Sequence, residues 1–300
     1  MSKLVARITV PVLTVLALAG CGSSSSTSST ATTATTSSST SANASVAALV
    51  PAAIKSKGTL TVAADATYAP NEFIAPDGHT VIGMDADLMQ ALGTEMGLKV
   101  NIVNATFDSI IPGLAAGKYD IGASSFTDTK EREKTVDFVD YFSAGISFYA
   151  KASASPAVKT VEDLCGKTVS VEKGTTEEEE VTAQGKKCTK AGKKSVTALV
   201  YPTQNEANLA ISSGRAELGM ADSPVAAYQV KQSGGTFKLV GETYGAAPYG
   251  LAIPKKSGMT APILAGVKAL IANGEYMKIL TKWGVQAGAI TTPVINGAKS

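Results

Sequence analysis

Histidine is almost missing from this sequence. His79 is the only one in 300 residues, which argues against a His-rich metal site and against hydrolysis through a Ser-His-Asp relay. Cysteine is scarce as well: there are three, none with further soft or imidazole ligands nearby, so no zinc pattern is present. A basic block is also lacking. The 27 Lys and Arg stand against 25 Asp and Glu, and two of the cations, Lys3 and Arg7, fall in the first twenty positions, which hold no acid. Beyond them the charges balance, leaving no electrostatic footprint for a nucleic-acid backbone. No glycine-rich phosphate loop follows an apolar run, no repeat of fixed period is visible, and the apolar run at 8–19 is short for a membrane span. What the chain does have is 44% apolar residues, enough for the core of one large domain or two ordinary ones.

The first residues read as a targeting segment, with Lys3 and Arg7 ahead of the apolar run and small residues after it. Leu18-Ala19-Gly20-Cys21 resembles the lipobox of bacterial lipoproteins, which implies a signal peptide at 1–20 and a lipid-bearing Cys21; an ordinary signal peptide with a cysteine at its end is the plainer alternative. From Gly22 to Ser45 nearly every residue is Ser, Thr or Ala, and after Arg7 no charge appears until Lys55. Such a composition buries too little apolar surface to order itself, so 21–54 is expected to be a flexible tether with a reach of roughly 25–30 Å, and compact structure to begin near Lys55.

Past residue 55 the pattern alternates. Short β-branched or apolar runs at 59–63, 99–103, 120–124, 168–171, 196–201, 217–221, 237–240 and 249–253 predict strands, while 84–96, 106–116, 205–213 and 274–283 have helical spacing. This alternation predicts an α/β protein with largely parallel sheets. Leu88, Met89, Leu92 and Met96 read as core contacts of one helix face. Gly174-Thr175-Thr176 precedes an acidic helix start: either threonine can cap it, with Glu178 or Glu179 completing a capping box, and the free N–H groups there attract an anion. The run 177–180 is read as serving the helix dipole. Ser223-Pro224 predicts another helix start, with Ser223 as cap and the Asp222 carboxylate left free. Cys165 and Cys188 form an even pair in an exported chain; a bridge would close a loop worth roughly 3 kcal/mol, with two buried free thiols as the alternative.

The motifs taken in order carry a resemblance. "VAADATYAPNEF" at 62–73, "GMDADLMQAL" at 83–92, "FDSIIPGLAAGKYDIGASSFTDTKEREKTVDF" at 107–138, "DLCGKTVSVEKGTTEE" at 163–178, "ADSPVAAY" at 221–228 and "PYGLAI" at 248–253 together resemble the family 3 bacterial extracellular solute-binding proteins, the receptor components of polar amino-acid ABC importers. The final "GAITTPVING" and the Cys165/Cys188 pair are similar to Gram-positive members. The resemblance implies a two-lobed, periplasmic-binding-protein-like type II α/β fold with two crossovers and a ligand cleft between the lobes. Lobe 1 would comprise 55–143 plus 245–300, and lobe 2 would comprise 144–244, with hinges near 143–145 and 243–246. It further implies a monomer without cofactor, held to the outer face of the cytoplasmic membrane by lipid and delivering an amino acid to an ABC permease. Two other classes stay open on the same fold: an enzyme resembling cyclohexadienyl dehydratases, and a sensory receptor for a membrane kinase.

An amino-acid ligand needs each of its main-chain charges paired in a water-poor cleft. Arg132 presents a bidentate fork for the carboxylate, although among Lys130, Glu131, Glu133 and Lys134 it also reads as a solvated helix charge. The resemblance assigns Arg132 to the ligand carboxylate, Ser125, Thr127 and Thr176 to polar contacts, and Asp222 to the α-ammonium. Asp65, Tyr68 and Phe107 match the positions enclosing the ligand side chain, with aromatic walls for its apolar part and Asp65 as an acceptor. Asn71 departs from the aromatic residue often found there. With Asp65 as surplus acceptor, glutamine, arginine or histidine is expected to bind ahead of aspartate and glutamate.

Overall fold

A computed structural model describes residues 42–299. The expected signal peptide at 1–20, the lipid-bearing Cys21 and the greater part of the tether lie outside them. Folded chain starts earlier than composition suggests. Helix α1 (Ala44–Leu49) is capped by Asn43, whose Oδ1 accepts from the Ser45 and Val46 amides, and α2 (Ala52–Lys57) follows it and stops on left-handed Gly58. The expected tether limit at residue 54 is therefore corrected. Val46 and Val50, four residues apart, are both buried in the core and supply an apolar stripe that the Ser/Thr/Ala composition hides.

Strand β1 (Thr59–Ala64) leads into a small antiparallel sheet of β2 (Thr67–Tyr68), β3 (Glu72–Ile74) and β4 (Val81–Ile82). Then come α3 (Met84–Met96), β5 (Lys99–Asn104), α4 (Phe107–Ala115) and β6 (Ile121–Gly122). Strand β7 (Val136–Lys151) crosses to a second lobe made of β8 (Thr168–Glu172), α5 (Thr176–Lys190), β9 (Thr197–Tyr201), α6 (Gln204–Ser212), β10 (Leu218–Asp222) and α7 (Ser223–Gln232). Strand β11 (Phe237–Pro254) returns to the first lobe, where α8 (Thr260–Ala272) and α9 (Glu275–Trp283) complete the α-helices among the described residues.

The main sheet has the order β5-β1-β6-β11-β7-β10-β8-β9. In the first lobe β1 lies parallel between β5 and β6; in the second, β8 lies parallel between β10 and β9. The long pair β7/β11 is antiparallel and belongs to both lobes: residues 136–143 pair with 248–254 in one, and 148–151 with 237–240 in the other. The runs at 237–240 and 249–253, expected as two strands, are thus one 18-residue strand. Between them the ladder is irregular, with register shifts from Val240 to Tyr244 and from Tyr244 to Ala247. Gly145 sits in this stretch, where a Cβ would come within 2.6 Å of the Tyr244 carbonyl oxygen, so the two strands approach too closely for a larger residue.

The expected α3 interior is realised, with Leu88, Met89, Leu92 and Met96 all buried. Its start is fixed by Gly83 at φ 134°, packed on the Asn71 carbonyl. The strand expected at 120–124 is shorter, because Ser125 at φ 51° turns the chain out of the sheet. In the second lobe, Cys165 and Cys188 are joined by a disulfide that ties α5 to the chain just ahead of β8. No helix among the described residues is long and apolar enough to cross a membrane.

Candidate functional site

The carboxyl ends of β1, β8 and β10 converge where the lobes meet, as in open α/β sheets generally. Twelve residues line one cavity there: Asp65, Tyr68, Phe107, Ser124, Ser125, Thr127 and Arg132 from the first lobe, and Glu172, Thr175, Thr176, Glu177 and Asp222 from the second. All eight expected ligand residues are among them. The space between these side chains is about 10 Å³, room for about one water. The lobes touch across it through Tyr68 and Asp222, Arg132 and Gly174, and Thr67 and Gln204.

The first-lobe wall is built from tied side chains. Asp65 follows β1; its Oδ1 accepts from the Thr67 amide and hydroxyl, and its Oδ2 from the Phe107 amide at 3.0 Å at the start of α4. Ser124 Oγ accepts from the Asp65 amide and donates to Glu72 Oε1, while the Ser125 amide donates to Asp85 Oδ2 at 2.8 Å. Beneath them Glu72 and Asp85 are fully buried and share a hydrogen bond, and Tyr141 donates to Asp85 Oδ1 at 2.6 Å. Burial raises Glu72 well above the carboxylate range and pushes Asp85 up to about 6, with the Asp85 charge adding to the rise of Glu72. Asn71 does not line the cavity; it donates to Ser125 Oγ from within this network.

Arg132 opens a short 3-10 turn after Thr127. Its guanidinium lies 5.3 Å from the centre of the Phe107 ring and 5.7 Å from that of Phe126, two rings stacked on each other at 4.5 Å. Nη1 donates to the Thr127 carbonyl and Nη2 crosses the cleft to the Gly174 carbonyl. The alternative of a solvated surface charge does not describe this placement. Burial lowers the guanidinium's pKa, and Glu179, Glu177 and Asp222 oppose that.

The second-lobe wall departs from expectation in three details. Thr175 is the cap of α5, accepting from the Glu178 amide at 3.2 Å, and Glu178 reaches back to the Gly174 amide rather than closing a box on Thr175 itself. Helix α7 begins at Ser223, with Asp222 in the cap position but making no capping bond; Ser223 Oγ accepts from the Gly145 amide. The Asp222 carboxylate therefore still faces the cleft, where it accepts from Tyr68 Oη at 2.9 Å. Finally, the acidic run at 177–180 is not uniform. Glu177 is 2% exposed and lines the cavity, whereas Glu178 caps and Glu179 is exposed.

Glu172 was not anticipated either. It ends β8 at 2% exposure, and its carboxyl hydrogen-bonds that of Asp65 across the cleft. Burial raises Glu172, Asp222, Glu177 and Asp65, and neighbouring acids push Glu172 and Asp222 further. Glu172 Oε1 and Glu177 Oε1 are buried without hydrogen-bond partners among the described residues. A signal for Glu172 was present: an acid at the carboxyl end of a β-branched parallel strand sits where ligands bind. Glu177 had none, since one inward acid in a run of four looks like a solvated face. Four carboxyls therefore face one guanidinium, an arrangement suited to a ligand that brings one negative and two positive charges.

The family model describing bacterial extracellular solute-binding proteins, family 3, matches residues 60–286. The chain is 37% identical over 252 residues to the arginine-binding protein ArgT of Corynebacterium glutamicum, covering 84% of this chain and 82% of that one. It is similar to the structure of an ancestral arginine-binding protein bound to arginine, with a TM-score of 0.70 and 36% identity over 75% of this chain and 98% of that one. An ancestral amino acid-binding protein described as a precursor of cyclohexadienyl dehydratase superposes with a TM-score of 0.69 at 35% identity, covering 77% and 97%.

Proposed function

The chain belongs to the bacterial extracellular solute-binding proteins of family 3, and from that premise we propose that it captures a basic amino acid, arginine first, for an ABC permease. The observation that carries this is the charge inventory of the cavity: Asp65, Glu172, Glu177 and Asp222 against Arg132. Arginine supplies a carboxylate for the planar fork of Arg132 and an ammonium for Asp222. Its guanidinium then meets Asp65 and Glu172, with Tyr68 and Phe107 against the aliphatic stem and Ser125, Thr127 and Thr176 completing the polar contacts. That named relatives bind arginine supports the same ligand. The dehydratase reading gains nothing from the ancestral relative, which is itself described as amino acid-binding.

An amino acid reaches groups enclosing about 10 Å³ only if the lobes part, so capture is a closure about the irregular stretch of β7 and β11. Hinge closure of periplasmic binding proteins is itself a standard example of such motion. The protein works as a monomer, held by lipid on Cys21 at the outer face of the cytoplasmic membrane in the Gram-positive manner, after removal of a signal peptide at 1–20. Titration calorimetry with arginine, lysine, glutamine and glutamate tests the ligand assignment. Arginine is expected to bind tightest; glutamate binding as tightly as arginine overturns it.

A further inference from the structure

Asp65 stands on the first lobe and Glu172 on the second, yet both line one cavity of about 10 Å³, and across it their carboxyls come within hydrogen-bonding reach of each other. Two carboxylates hold such a contact only when one of them keeps a proton. Asp65 has donors on both oxygens from its own lobe, Thr67 on Oδ1 and Phe107 on Oδ2, which favour its ionised form. Glu172 has fewer: the Gln204 amide reaches its carboxyl, but its Oε1 is buried and unpartnered among the described residues. Among the described residues that line the cavity or act on the pair, the other titratable groups are acidic or phenolic, with one exception. Glu72 and Tyr68 face it from the first lobe, and Glu177, Asp222 and Tyr149 from the second. The exception is Arg132, already bonded to two backbone carbonyls.

We propose that Asp65 and Glu172 hold one proton between them across the cleft, and that a basic ligand takes that proton's place, so that binding releases it to solvent. The proposal rests on the reading of the ligand as a basic amino acid. The O–H bond of the Glu172 carboxyl breaks, the electron pair stays on its oxygen, and the proton passes to buffer. The resulting carboxylate, beside that of Asp65, then accepts from the ligand's cationic group. Affinity for a cationic side chain therefore rises with pH while the empty pair is still protonated, by up to about tenfold per unit, and levels off once the pair ionises on its own. A ligand of the same shape with a neutral side chain leaves the proton where it is, because there is no charge to replace it.

Titration calorimetry of the whole protein with arginine, at one pH but in phosphate and in Tris, reads the protons exchanged from the change of apparent enthalpy with buffer ionisation enthalpy. Close to one proton released per arginine is expected, and close to none with citrulline, whose ureido group is the neutral isostere. Glu172→Gln is expected to bind arginine with little buffer dependence, and Asp65→Asn provides the same reading from the other lobe should the first variant not fold. Arginine binding with a heat independent of buffer overturns the proposal and leaves the functional reading intact. Undiminished release in both variants overturns the assignment to this pair. Absence of arginine binding in any buffer removes the functional reading itself, and the proposal with it.

Discussion

The two walls of the cleft are held in place by different means. On the first lobe, Asp65, Ser124 and Ser125 are fixed by hydrogen bonds that run down to the buried Glu72–Asp85 pair and Tyr141. On the second, Thr175, Thr176 and Glu177 sit at the start of α5, a helix held by its own caps and by a disulfide near its far end. The first wall consists of satisfied groups around one cation; the second presents three carboxyls, two with an oxygen lacking a partner among the described residues. Shape is set on one side and charge is concentrated on the other. A ligand must bring what the second wall lacks in order to draw the lobes together, which makes closure selective for charge as well as for fit.

The strongest way to break this contrast is to remove the one cation. Arg132→Ala leaves the ligand carboxylate desolvated and unpaired, and truncating one member of such a buried pair costs about 2–5 kcal/mol of binding. Calorimetry on this variant is expected to show arginine affinity down at least thirtyfold, with thermal unfolding near wild type. Binding at wild-type strength would mean that the first wall is anchored elsewhere.

Removing the covalent brace of the second lobe separates stability from binding. Cys165→Ser with Cys188→Ser opens a loop of sequence separation 23, worth about 3 kcal/mol in the chain-entropy model. Urea titrations are expected to show that loss of stability, while arginine affinity stays within a few-fold, since α5 keeps its caps. A loss of affinity as large as the loss of stability would show that the bridge positions the cleft wall directly.

The smallest effect concerns the brace of the first lobe. A carboxyl whose folded-state pKa is raised stabilises the fold below its unfolded value, and that contribution fades as pH climbs through the folded one. For Asp85 the window runs from 3.8 to about 6, so melting temperature should decline across it. Glu72→Gln keeps the shape but holds no removable carboxyl proton, and is expected to flatten the decline by about 1 kcal/mol. An identical pH profile in the two proteins would show that the pair does not control the stability of this wall.

The walls also differ in how readable they were. Local patterns announced the helix starts beside Thr176 and Asp222 and no more; it was the resemblance of ordered motifs to a family that pointed to Asp65, Tyr68, Phe107, Ser125, Thr127 and Arg132 as their companions. Glu172 had a signal in its place at the carboxyl end of β8, whereas Glu177 had none, because burial of one acid in a run is decided by which way the helix faces, and that is set by packing in three dimensions. The fused strand β11 was hidden for a related reason. Its middle, 241–246, is exposed apart from Tyr244, which packs on the second-lobe core; the rest bridges the lobes and is polar and glycine-containing, so the sequence reads as a loop. Helix α1 escaped notice because Val46 and Val50 are diluted by alanine and serine.

The long pair β7/β11 has an energetic consequence for capture. Two separate bodies that clasp a ligand give up translational and rotational freedom on meeting, and that loss is subtracted from the affinity. Here the two lobes are already joined along paired strands, so most of that freedom is surrendered when the chain folds, and a hinge angle is the main thing left to fix when the ligand arrives. The contacts at the cleft thereby bear the ligand's own loss of freedom but not that of bringing two bodies together, as for a catalytic group already held in place before its reactant arrives.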